Sequence, residues 1–196
     1  MNSQPRIPQS KREQTHDRIV EVAARAIRRR GYDGVGVADV MREAGLTHGG
    51  FYSHFDSREA LLVEAVERAS KDSVEQITQN IEERVARGDT PIRALIESYL
   101  TEAHLAGVEL GCPVAALGSE MHRQSPALLA ASAERVQAMI ARARAVLPAQ
   151  HAKEQAPVLV ATLIGALQLA RVLGVNAQGR AVLAATRKSL LETYAG

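Results

Sequence analysis

Residues 39–58 read DVMREAGLTHGGFYSHFDSR. The spacing predicts two short helices joined by a tight turn, with a third helix starting at the end of the stretch. Val40, Met41 and Ala44 give the first helix an apolar side, and Gly45 stops it, because glycine enters the left-handed conformation that a helix C-terminus often requires. Thr47 stands where the next helix begins, its hydroxyl free to cap an orphan amide. Phe51 and Phe55 lie four residues apart, so they share one face and point inward. His48, Gly49, Tyr52 and Ser53 fall on other faces. A short helix that buries two rings while presenting polar groups and a bare Gly-Gly surface suits close approach to a large polar partner. The helix-turn-helix of DNA-binding proteins has this form, with its second helix in the major groove.

Outward from that stretch, residues 31–62 read GYDGVGVADVMREAGLTHGGFYSHFDSREALL. They combine Gly31-Tyr32, the AGLT turn, the Tyr-x-His-Phe run at 52–55 and the Ser-Arg-Glu-x-Leu helix start at 57–61. At this spacing the segment resembles the DNA-binding part of the TetR family of bacterial transcriptional repressors. One departure is Gly36-Val37, which replaces the usual Ser/Thr cap of the first motif helix. Glycine is a weaker cap by only about a few tenths of a kcal/mol, so the change touches local stability and not function. The resemblance implies an all-α chain: a three-helix DNA-binding domain, then a helical ligand-binding and dimerisation domain. It implies a homodimer, an apolar effector pocket, and a ligand that releases DNA by moving the helix after the motif. By family position, Tyr52 and His54 are phosphate ligands.

The chain has 196 residues, 46% of them apolar but only 3% aromatic, and no Trp. A core of Ala, Leu, Val and Ile with few rings favours close-packed helices. Tyr32, Phe51, Tyr52 and Phe55 crowd into one segment, which therefore has a small core of its own. The formal charge is +2, and the excess lies within residues 1–60. Local clusters carry more weight: Arg6, Lys11 and Arg12 precede the first helix, and Arg28, Arg29 and Arg30 end it. The second run reads as positive charge complementing the helix dipole. The lone cysteine, Cys112, rules out an internal disulfide and fits a reducing cytosol. No apolar leader follows the Lys-Arg pair, so the expected location is cytoplasmic. The longest apolar stretch, residues 158–167, falls short of the roughly 20 residues a membrane span requires and reads as a buried helix.

Periodicity predicts about nine helices and no strand. Residues 1–10, rich in Pro, Gln and Ser, read as a disordered arm. Residues 11–57 form the helix-turn-helix domain. A long helix from 58 to about 86 connects it through 58–72 to an effector-binding and dimerisation domain, 73–196. Thr90-Pro91 and Ser125-Pro126 each mark a cap followed by proline at the first helical position. Between them a helix through Ile92, Leu95, Ile96, Tyr99 and Ala103 precedes a shorter one begun by Gly111-Cys112-Pro113. The eighth helix runs to Leu173, with Pro157 at its start or at a kink, and the ninth ends near Tyr194. The eighth is apolar around most of its circumference and must be buried on more than one side. A homodimer through helices 8 and 9 satisfies that, with the small Ala161, Gly165 and Ala166 allowing close approach.

The candidate contacts to double-stranded operator DNA are Lys11, Arg12, Thr47, His48, Gly49, Gly50, Tyr52, Ser53, His54 and Arg58. Thr47 and His48, at the helix N-terminus, are the sources of sequence choice, while Gly49 and Gly50 let the backbone approach the groove. Arg58 clamps the backbone from the far side. In the second half, residues 110–126 are poor in bulky side chains and leave room for a mostly apolar small molecule. Leu100, His104, Cys112, Leu117 and Met121 are its expected lining. No enzyme signature, cofactor motif or metal-ligand spacing is present, and no membrane partner is implied. The reading is a ligand-released repressor. The alternatives are a constitutive or activating regulator without a ligand, and a helical small-molecule-binding protein with thiol redox sensing at Cys112, which sits near a helix N-terminus where a thiolate is favoured.

Overall fold

A computed structural model describes residues 10–150 and 152–195. The predicted arm, 1–10, lies outside these apart from Ser10, which belongs to a cap: its hydroxyl accepts from the Glu13 amide, and Glu13 accepts from the Ser10 amide. This reciprocal pair fixes the start of α1 (Lys11–Arg30). All regular elements among the described residues are helical. In order they are α1, α2 (Val37–Glu43), a 3-10 helix (His48–Ser53), α3 (Arg58–Ala86), α4 (Pro91–Tyr99), α5 (Glu102–Ala106), α6 (Pro113–Met121), α7 (Pro126–Val146), α8 (Ala152–Leu173) and α9 (Ala177–Tyr194).

Capping chemistry sets most boundaries. Ser57, Thr90, Ser125 and Asn176 each accept an amide of the first turn that would otherwise be orphaned. Gly31, at φ 75°, ends α1. Gly45, at φ +71°, closes α2 in a Schellman arrangement: Leu46 N–H donates to Met41 O at 2.8 Å and Gly45 N–H to Arg42 O at 3.0 Å. Gly36 stands at the N-cap of α2 without a side-chain bond, as a glycine must.

Two expectations change. The helix through Ile92 stops at Tyr99 and does not reach Ala103; Leu100 leaves helical geometry and Thr101 caps the separate α5 through the His104 amide. The second helix of the motif is a 3-10 turn rather than an α-helix, and Thr47 makes no side-chain cap bond there. Of the two placements open for Pro157, the structure has it inside α8.

The head packs α1 and α3 around the stacked rings of Phe51 and Phe55, centroids 5.4 Å apart, with the His16 ring 4.5 Å from Phe55. Ile19, Ala23, Ile27, Leu61 and Leu62 close this core. In the body α3 packs against α4, α6 and α7, and α8 against α5, α6, α7 and α9, with Leu159, Leu163 and Leu167 of α8 buried. By length and composition α8 could cross a membrane, at 22 residues. Its buried leucines make it a core helix here.

Candidate nucleic-acid interface and effector cavity

The 3-10 helix owes its exposure to what lies beneath it. Phe51 is 1% exposed and anchors the turn, which leaves Thr47, His48, Gly49, Tyr52 and Ser53 at the surface. Tyr52 is 71% exposed, its ring edge-on to Phe51 at 5.2 Å. A methyl group built on Gly49 would meet nothing within 4 Å, so the bare backbone here faces open space. Gly50 sits closer in, over the Met41 side chain. The far end is held from α1: Arg12 donates to the Ser53 carbonyl at 2.8 Å, and the Ser53 hydroxyl turns back to Gly50 O at 2.7 Å. Lys11 and Arg12 thus lie beside the 3-10 helix, on one edge of the head.

Besides Arg12 and Ser53, two more predicted contacts are engaged within the head, Arg58 by hydrogen bonds and His54 by packing beside the His16 ring. Arg58 donates Nε–H to Val35 O at 3.1 Å and a second N–H to Tyr32 O, binding α3 to the loop before α2. His54 is partly buried, and its Nδ1 is shielded with no hydrogen-bond partner. Burial, with His16 and the Arg12 cation beside it, lowers the His54 pKa. This favours the uncharged imidazole.

The arginine run at 28–30 does more than complement a dipole. Arg28 is buried: Nη1 donates to Ala69 O at 3.1 Å and to Gly111 O at 3.4 Å, and Nη2 lies 3.9 Å from Asp72. Burial pushes its pKa down to about 10, which still leaves it charged. Arg29 pairs with Glu109 at 2.9 Å and Glu43 at 3.4 Å. The Glu120 carboxylate accepts the Tyr32 amide at 2.9 Å, and Ser125 hydrogen-bonds Glu59. Head and body are joined by these bonds as well as by α3.

In the body a cavity of about 440 Å³ opens between α3, α4, α7 and α8, within the usual range for a small-molecule site. Its walls come from Ser73, Gln76 and Ile77 on α3, Leu95, Ser98 and Tyr99 on α4, His104 and Leu110 on the segment between α4 and α6, Arg135, Met139 and Arg142 on α7, and Val160 and Leu163 on α8. Of the residues expected to line a pocket, His104 is on this wall. Leu100, Cys112, Leu117 and Met121 are buried in the core and do not border the cavity. His104 is locked as a neutral imidazole: Nδ1–H donates to Tyr99 O at 2.8 Å, while Nε2 accepts the Cys112 amide at 3.0 Å. Burial drives its pKa to about 4. The Cys112 thiol is buried against Met139, with its sulfur 3.9 Å from the Met139 sulfur.

An exposed glycine-bearing turn braced on a three-helix head, above a helical body, defines a helix-turn-helix DNA-binding transcriptional regulator. Residues 19–65 match the model of the bacterial regulatory proteins of the tetR family. An HTH-type transcriptional regulator of Mycobacterium tuberculosis is 32% identical over 173 residues, spanning 80% of this chain and 84% of that one. The chain belongs to the TetR family. A TetR transcriptional regulator from Chloroflexus aurantiacus superposes with a TM-score of 0.78 at 24% identity, over 92% of this chain and 93% of the other. The reduced form of Escherichia coli NemR does so at 0.77 and 21% identity, over 92% and 97%.

Proposed function

We propose that the protein is a cytoplasmic homodimeric repressor whose hold on a pseudo-palindromic operator is released by a small effector in the body cavity. The observation that carries this reading is the continuity of α3. It begins at Arg58 in the head and, 29 residues long, runs to Ala86, about 43 Å at 1.5 Å per residue. Its middle supplies Ser73, Gln76, Ile77 and Asn80 to the cavity. A ligand that shifts those residues moves a rigid rod whose other end supports the 3-10 helix. To act as an effector it must bind the DNA-incompetent form better, by about 1–3 kcal/mol for typical coupling.

In this reading Thr47 and His48 choose bases. Gly49 and Gly50 admit the backbone to the groove, and Tyr52, Ser53, Lys11 and Arg12 hold phosphates. Arg58 and His54, with their internal partners, position the turn. The second copy docks on α8 and α9, where Val158, Leu169 and Val172 of α8 and Val175, in the turn before α9, are apolar and exposed. Val172 is 86% exposed, too costly a display for a monomer and natural for an interface core.

A gel-shift titration on genomic fragments that the protein selects tests the reading, repeated with a small-molecule library whose hits are first found by thermal shift. A hit that both raises the melting temperature and releases DNA is the expected result. Hits that stabilise the protein and leave the complex intact would count against release.

A further inference from the structure

The charges around the cavity narrow what it accepts; this step rests on the effector reading above. Arg135, Met139 and Arg142 share one face of α7 and line the same wall. Arg135 is 7% exposed, and its Nε is shielded from solvent without a hydrogen-bond acceptor among the described residues. No aspartate or glutamate lines the cavity; burial lowers the Arg135 pKa, with the Cys112 thiol opposing that shift and the like-charged Arg142 adding to it. Behind His104, Arg171 donates Nη2–H to the His104 carbonyl at 2.9 Å but buries Nε and Nη1 without partners. Ser98 and Tyr99 place buried, unpartnered hydroxyl oxygens on the same wall. A guanidinium removed from water without a counter-charge is strongly destabilising unless something supplies the charge. The rest of the wall is mostly hydrocarbon, with the polar Ser73, Gln76, Asn80 and Thr101 among it.

We infer that the cavity binds an amphipathic organic anion, its carboxylate gripped by the Arg135 fork and its apolar body lying against Ile77, Leu95, Met139, Val160 and Leu163. The planar guanidinium matches a carboxylate through two parallel N–H···O bonds. The Ser98 and Tyr99 hydroxyls donate to the lone pairs that remain. His104 adds no charge at neutral pH, because its imidazole is held neutral by two satisfied bonds. Charge selection therefore falls to Arg135, with Arg142 drawing the anion in at the mouth.

The test titrates the full-length protein calorimetrically at neutral pH with three probes of one chain length: decanoate, decanol and decylamine. Decanoate is expected to bind, with the alcohol and the ammonium about tenfold weaker or worse. Arg135→Met should abolish that preference while melting no lower than the wild type without ligand, since it removes an unpaired buried charge. Equal affinity for alcohol and carboxylate, preference for the amine, no binding by any probe, or undiminished decanoate binding in the variant would each overturn the inference. If the variant does not fold, the three wild-type titrations still decide. A gel shift separates this inference from the reading it rests on. Selective decanoate binding that leaves DNA bound upholds the anion site and counts against effector release. Release by decanol and decanoate alike does the reverse.

Discussion

At the scale of single residues, the proposed interface divides into side chains left at the surface and side chains with partners inside the head. Gly49 has open space where a side chain would go, so Gly49→Ala should leave stability unchanged or raise it by up to about 1 kcal/mol. The same methyl would hold the backbone off the groove. Thermal melting and gel shifts together check this: a loss of at least about tenfold in affinity is expected without a loss of stability. Tyr52→Phe should weaken all sequences similarly and lower the salt slope, as loss of a phosphate contact does. Phe51→Ala should cost about 3–5 kcal/mol in urea unfolding, because it empties the centre of the head core. The local contacts were legible in the sequence because they arise within a few residues: the 51–55 ring pair and the Gly45 turn are fixed by spacing alone. The roles of Arg58 and His54 were not. Their partners, Val35, Tyr32 and His16, are brought in by folding.

His104 gives this scale a pH dependence. Its pKa falls from 6.5 to about 4 on folding, so the unfolded chain binds more protons between those values. Stability should then drop as pH falls from about 6.5 towards 4, by up to about 3 kcal/mol from this one group. Urea midpoints across that range should show a shallower pH slope in His104→Gln than in the wild type.

Among the elements, α1 and α3 matter most: α3 runs from the head to the cavity wall, and α1 is bonded to Gly111 at the cavity's border. The Gly111 carbonyl accepts from Arg28 while Gly111 also borders the cavity. A ligand pressing on this segment therefore pushes on the end of α1 directly. Arg28→Met should keep the fold and DNA binding but blunt ligand-induced release, read as the ratio of gel-shift affinities with and without a hit. Arg29→Ala, which removes surface ion pairs, should change stability by no more than about 1 kcal/mol. Helix starts were readable at Thr90-Pro91 and Ser125-Pro126, where a capping hydroxyl is followed by proline in the first turn. The break after Tyr99 was not, since no glycine or proline marks Leu100 and the apolar period runs on through Ala103. The Thr101 cap was the signal available. The cavity could not be read from the sequence, because its walls come from four helices and a loop spread over ninety residues, Ser73 to Leu163. A stretch poor in bulky side chains suggested room at 110–126, yet much of that stretch, around α6, packs tightly as core.

At the scale of the whole molecule, the account needs two heads at a fixed separation. Val172→Glu, on the exposed apolar face of α8, should leave the protomer folded and weaken self-association by roughly a hundredfold or more. Sedimentation should then report a monomer for the variant and a dimer for the wild type. Such a monomer should lose most of its DNA affinity, although every residue of its 3-10 helix is intact. Apolarity around α8 pointed to a second buried side from sequence alone, because a helix has few other uses for such a surface. The most direct measurement is a footprint of the wild-type protein on a genomic fragment that it selects. Two inverted copies of one short sequence should be protected, their centres one helical turn or a whole number of turns apart. Protection of a single site by a single chain would contradict the account.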